Sequence, residues 1–179
     1  MARLTDPLDS LDPAAQQIYD KISRKRGKLR GPYAPLMHHP PLAERVGDLG
    51  EMLRFNGALP ADVRELAILV TARAVNQPYE WVMHAPVALG AGLPAKVIEL
   101  VRGRGDLATL PPRYARTARV VRHVLAFEPL PQALQDEVQA DLGLPGLLEL
   151  VALPGFYRLI GGVLAAFEVP LPEGERTPF

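Results

Sequence analysis

The sequence predicts an all-α protein, a helical bundle folded as one domain. Three observations carry this reading. Apolar stripes with helical spacing recur along the chain, proline or glycine marks nearly every boundary between them, and no alternating β-branched run is long enough to compete as a strand. With 179 residues, 48% of them hydrophobic, the chain can supply one sizeable core.

Residues 1–12 hold the pairs Asp6-Pro7 and Asp12-Pro13 and few periodic apolar positions, after which Pro13 opens an amphipathic helix reaching about residue 26. The basic run over 21–30 reads as a solvated face or loop, because it lacks the aromatic platforms of a nucleic-acid surface. Residues 1–30 thus form an N-terminal segment with a short helix, ahead of a helical domain over 31–179. Four prolines and two histidines make 31–41 an ordered loop. Helices are then expected at 42–56, 60–75, 78–91, 94–102, 112–127, 131–141 and 145–167. The last carries Pro154-Gly155, and an interior proline costs about 3 kcal/mol, so a kink or two shorter helices are expected there. The tail from 169 to 179 reads as extended.

Residues 59–66 (Leu-Pro-Ala-Asp-Val-Arg-Glu-Leu) and 93–100 (Leu-Pro-Ala-Lys-Val-Ile-Glu-Leu) share a pattern that returns weakly at 144–150 (Leu-Pro-Gly-Leu-Leu-Glu-Leu). Proline at the first helical position with an acid nearby is a helix-start device. Convergent capping and a duplicated helical unit both account for the recurrence.

Composition excludes several functions. The chain has no cysteine, which removes disulfides, thiolate nucleophiles, Cys-x-x-Cys redox chemistry and sulfur-ligated zinc. Twenty basic residues balance twenty acidic ones, so no net field draws the protein to nucleic acid or to an anionic membrane. Apolar runs such as 66–70 fall far short of the roughly 20 residues needed to span a bilayer, and no apolar signal core opens the chain. The expectation is a cytoplasmic protein whose partner is a small-molecule substrate, without nucleic acid or membrane. Phosphate-binding loops, serine nucleophile elbows and dinucleotide fingerprints are absent from the sequence.

Chemistry concentrates in Gln77-Pro-Tyr-Glu-Trp-Val-Met-His84. On a helix beginning near Pro78, Glu80 and His84 stand one turn apart on one face, where a carboxylate can orient an imidazole and raise its pKa for proton transfer. Glu65 lies on a stripe otherwise made of Ile68, Leu69, Ala72 and Val75, so an acid faces inward. It is either a first-turn carboxylate favoured by the helix dipole and by Arg64 or Arg73, or a buried acid with a raised pKa. Two carboxylates and an imidazole would also suit iron or zinc, but no second histidine stands at ligand spacing on these helices, so no metal is expected. His38 lies in the proline-rich loop, either on the surface or turned toward a pocket. Tyr79 is a packing residue with a hydroxyl free to donate.

These residues resemble the alkyl hydroperoxidase D-like superfamily, whose thiol members carry a glutamate, a Cys-x-x-Cys starting twelve residues later, and a histidine four residues past the second cysteine. Here Glu65 and His84 occupy the glutamate and histidine positions, while Gln77 and Glu80 stand where the thiols would be. The likeness extends from Gly31-Pro32 and the His38 loop through 64–69 and 79–81 to 167–172, most of the chain from about residue 30 onward. It is similar to the longer, cysteine-free branch, the carboxymuconolactone decarboxylase-like proteins. The resemblance implies an all-α homo-trimer or homo-hexamer with sites near subunit contacts. It also implies a cofactor-free carboxy-lyase or isomerase acting on a small carboxylated lactone or enol-type compound. In such a site His84 or Glu80 would deliver a proton, Glu65 would orient or supply a second, Tyr79 or His38 would stabilise an oxyanion, and Arg73 would hold a substrate carboxylate. The alternatives are a hydroperoxidase-like protein without thiol activity and a non-catalytic oligomeric binding protein.

Overall fold

Asp12 accepts the Ala15 amide at 2.8 Å and Pro13 follows it, so the first helix starts where the Asp-Pro pair marks it. The computed structural model describes residues 3–179. Its helices are α1 (Pro13–Arg26), α2 (Tyr33–Leu36), α3 (Pro40–Glu51), α4 (Ala61–Ala74), α5 (Pro78–Gly90), α6 (Ala95–Arg102), α7 (Pro112–Ala126) and α8 (Gln132–Ala166). A π-helical turn, Met52–Asn56, continues α3, and a 3₁₀ turn, Leu107–Thr109, precedes α7. No strand occurs among the described residues.

α4 is the organising element. It packs against α5, α6, α7 and α8, and Val63 together with every residue from Glu65 to Ala72 is buried. α1 lies along α3, and Ile22 and Leu29 are fully buried, so the N-terminal segment contributes to the same core.

Three sequence expectations need correction. The proline-rich stretch is not a plain loop: α2 forms within it, and α3 begins at Pro40 with the His39 ring nitrogen facing the Leu42 amide at 3.4 Å. Prolines of the repeated pattern sit one place earlier than expected. Pro60 and Pro94 are N-caps with ψ of 142° and 136°, where an absent N–H goes unmissed. The last helix does not break at Pro154. Gly143 takes φ 71° and ψ 170°, a conformation that favours glycine, and Pro145 restarts the helix. Pro154 is buried in a continuing helix, where packing offsets the backbone bond it removes. Across that restart, the third copy of the pattern supplies Glu149, whose carboxylate accepts from the Ala58 and Leu59 amides at 2.8 and 3.2 Å and so fixes the entry to α4.

α8 alone passes the length and hydropathy test for a membrane span among the described residues, but half of its most apolar window is buried within the protein. It is a core helix packed on α4 and α7.

Candidate active site

Glu65 lies in the second turn of α4 and His84 in the second turn of α5, and the packing of these helices brings them together. His84 Nδ1 is 2.7 Å from Glu65 Oε2, with both side chains buried. Arg64 Nε donates to the other carboxylate oxygen at 3.1 Å. A buried acid was expected to have a raised pKa, and burial does push Glu65 up. The His84 hydrogen bond and charge, joined by Arg64, outweigh it and hold the carboxyl below its ordinary value. Glu65 is therefore ionised near neutrality and can only accept, which places the proton on Nδ1 and leaves His84 Nε2 as the working nitrogen.

Two groups face Nε2. The Tyr157 hydroxyl, from α8, is 3.2 Å away, with its ring edge-on to the imidazole at 5.2 Å. Glu80 Oε2, one turn before His84, is 3.6 Å away. Glu80 is also buried, but here burial prevails over the pull of His84 and Arg54, so its carboxyl is raised toward the protonated form. The Tyr157 hydroxyl is likewise pushed up, chiefly by burial, and stays protonated. The two glutamates thus divide the work, one held as an anion and the other biased toward carrying a proton.

The raised Glu80 has a measurable consequence. The folded state retains the Glu80 proton to higher pH than the unfolded chain, so wild-type stability falls as pH rises from about 4.5 through the folded pKa. The Glu80→Gln variant should gain melting temperature over wild type by a few degrees at pH 8 and by little at pH 4. A difference that does not grow with pH would contradict this assignment.

Glu80, His84 and Tyr157 open onto a cavity of about 310 Å³ walled by Tyr33, Tyr79, Met83, Val87, Phe156 and Ile160. Its side chains include four cations, Arg26, Lys28, Arg30 and Arg54, against one carboxylate, Glu80.

The sequence candidates separate accordingly. Glu65, Glu80 and His84 converge, and Tyr79 lies on the cavity wall with its ring against Gly31, whose φ of 59° and lack of Cβ permit the approach. His38 does not reach the cavity: it is exposed, and its Nε2 donates to the Thr5 carbonyl at 2.9 Å. Arg73 is also elsewhere, at the end of α4, donating to the Arg102 carbonyl at 2.7 Å and to Asn76 at 3.0 Å, with its guanidinium 4.3 Å from the Phe179 ring centroid. Sequence reasoning missed Tyr157 and Arg54. The signal available for Tyr157 was a lone polar-tipped aromatic in the apolar run 150–164.

Gln77, at the first thiol position of the resemblance, is structural. Its Oε1 accepts the Tyr79 amide at 3.1 Å, capping α5, and its Nε2 donates to the Gly161 carbonyl at 3.1 Å, tying α5 to α8. Gln77→Ala should lower stability by about 2 kcal/mol through loss of the cap and an unpaired buried carbonyl. Chemical denaturation would show this as a lower midpoint at unchanged slope.

No group of three or more His, Asp or Glu side chains has metal-holding geometry among the described residues. Residues 40–122, which contain Glu65, Glu80 and His84, match the family model for the carboxymuconolactone decarboxylase family. That segment is similar to the carboxymuconolactone decarboxylase family. Comparison with curated proteins and with solved structures gives no match. The matched segment runs from the start of α3 into α7, so it includes both helices that hold the histidine and the two glutamates, while Tyr157 comes from α8, beyond it. The all-α architecture agrees with the alkyl hydroperoxidase D-like expectation, and the matched segment is free of cysteine.

Proposed function

We propose that this protein is an acid–base enzyme of the carboxymuconolactone decarboxylase-like type, decarboxylating or isomerising a small carboxylated lactone or enol-type compound. The observation that carries the reading is the chain from half-buried Arg64 through buried Glu65 to buried His84, ending with Nε2 at a cavity beside Glu80 and Tyr157.

The chemistry follows from these groups. Breaking the bond to the substrate carboxylate releases carbon dioxide and leaves its electron pair in a conjugated carbonyl, as an enolate. The substrate supplies the electron sink, so no organic cofactor is needed for that step. In its protonated form His84, held through Nδ1 by anionic Glu65, donates its Nε2 proton to the carbanionic carbon. The Tyr157 and Tyr79 hydroxyls are the neutral donors available to the developing oxyanion. Glu80, biased toward its protonated form, returns a proton to His84 and is reprotonated from solvent, which supplies the one proton that each decarboxylation consumes. Isomerisation uses the same parts, with His84 removing a proton from one carbon and returning it to another.

The test is turnover of a panel of carboxylated lactones and enol-type acids, followed by ultraviolet absorbance and carbon dioxide release, with wild type beside Glu80→Gln. Turnover by wild type that falls at least tenfold in the variant is expected. Unchanged turnover in Glu80→Gln rejects the proton-return role. A panel in which no compound turns over while a carboxylate raises the melting temperature favours a non-catalytic binding protein.

A further inference from the structure

Among the described residues, Arg54 is the half-buried cation of the cavity with no partner of its own. It lies on the π-helical turn Met52–Asn56, half-buried, and among the described residues it makes no hydrogen bond or ion pair. The acid one helical turn before it, Glu51, pairs instead with Lys25 at 3.1 Å. Arg54 does rest against the Phe55 ring, 5.1 Å from its centroid.

The other cations differ. Arg26 donates to the Ile22 and Gly47 carbonyls at 3.3 and 3.1 Å, with Tyr33 and Phe55 each about 5.5 Å from its guanidinium, so it belongs to the wall. Lys28 and Arg30 are exposed at the rim, where solvent and salt screen them. A π turn inserts a residue into a helix and re-aims the side chains that follow, and such turns recur at functional sites. Here the turn holds a guanidinium at the cavity with all its donors uncommitted, its charge felt at Glu80, Tyr157 and Tyr33.

We infer that Arg54 is the anion-binding residue of this cavity, taking a ligand carboxylate by paired N–H···O bonds and presenting the adjacent carbons to His84 Nε2. A planar guanidinium matches a carboxylate with two parallel hydrogen bonds, which a lysine cannot reproduce. This assigns to Arg54 the role that the sequence suggested for Arg73. It rests on the proposed function only in taking the same cavity as the ligand site.

Binding, not turnover, tests it, so failure of the acid–base reading leaves the result interpretable. Adipate is the probe and uncharged adipamide its control, titrated calorimetrically into the intact protein. Wild type should bind adipate and discriminate against adipamide. Arg54→Gln should weaken adipate at least about tenfold, as loss of a charge-assisted hydrogen bond predicts. Arg54→Lys should recover only part of the affinity, while Arg73→Gln should stay within about threefold of wild type. Arg30→Gln should produce a small loss that disappears at higher salt. Absence of adipate binding by wild type, equal binding by wild type and Arg54→Gln, or an equally large loss in Arg30→Gln would each overturn the assignment.

Discussion

Replacing Glu65 with alanine should destabilise the protein by about 3–5 kcal/mol, lowering its melting temperature by on the order of 10 °C at pH 7. The carboxylate is buried and accepts from His84 and Arg64. Its removal leaves a buried imidazole N–H and a half-buried guanidinium without their acceptor, as well as a void beside α5. The pH dependence identifies the cause. The folded-state pKa of Glu65 is depressed, so its stabilising contribution is fully present above about pH 4.5 and is lost as pH falls through the folded value. The gap between wild type and Glu65→Ala should therefore be widest near neutrality and narrow in acid. A gap independent of pH would mean that packing alone was lost. Glu65→Gln keeps the volume and one acceptor, and should lose less.

Replacing His84 with alanine should reduce turnover by about a hundredfold to ten-thousandfold, the range associated with a positioned general acid or base. The side chain lies between an ionised carboxylate and the cavity, and neither Tyr157 nor Glu80 is held by Glu65 to take its place. Its removal leaves an imidazole-sized space open to the cavity, so added imidazole should restore part of the rate. That rescue should follow the pKa of the added base, measured with a series of substituted imidazoles. Full activity in His84→Ala would eliminate the proposed mechanism. A loss without rescue would point to collapse of the space, visible as a change in near-ultraviolet circular dichroism.

Much of the fold was legible because proline and glycine act locally. The cap at Asp12, the starts near Pro60, Pro78 and Pro94, and the break between 141 and 145 all depend on the backbone preferences of one or two residues. The persistence of α8 through Pro154 was not legible, since it depends on what packs around a buried proline. In the site, Glu65 stood out as an acid on an apolar stripe, and Glu80 and His84 stood out by their one-turn spacing. Tyr157 comes from 73 residues beyond His84, a proximity that only tertiary packing creates. Arg54 was hidden for another reason. With Glu51 three residues before it, it reads as half of an ordinary surface pair, and only the fold shows that Lys25 claims that acid. Arg73 and His38 were drawn toward the site by chemistry alone, although the chain directs both elsewhere.

The cavity has two kinds of wall. The groups assigned to proton transfer in the proposed mechanism stand on α5 and α8, held by Glu65 on the buried helix that organises the core, so substitutions there disturb folding and any such chemistry together. Its cationic rim, Lys28 and Arg30, is exposed on the stretch between α1 and α2, where replacements touch little else. Variation during divergence, or in a laboratory library, can therefore explore ligand preference at the rim while the machinery beneath it is inherited unchanged. New substrate ranges in this scaffold should arise at positions 28 and 30 well before they arise on α4.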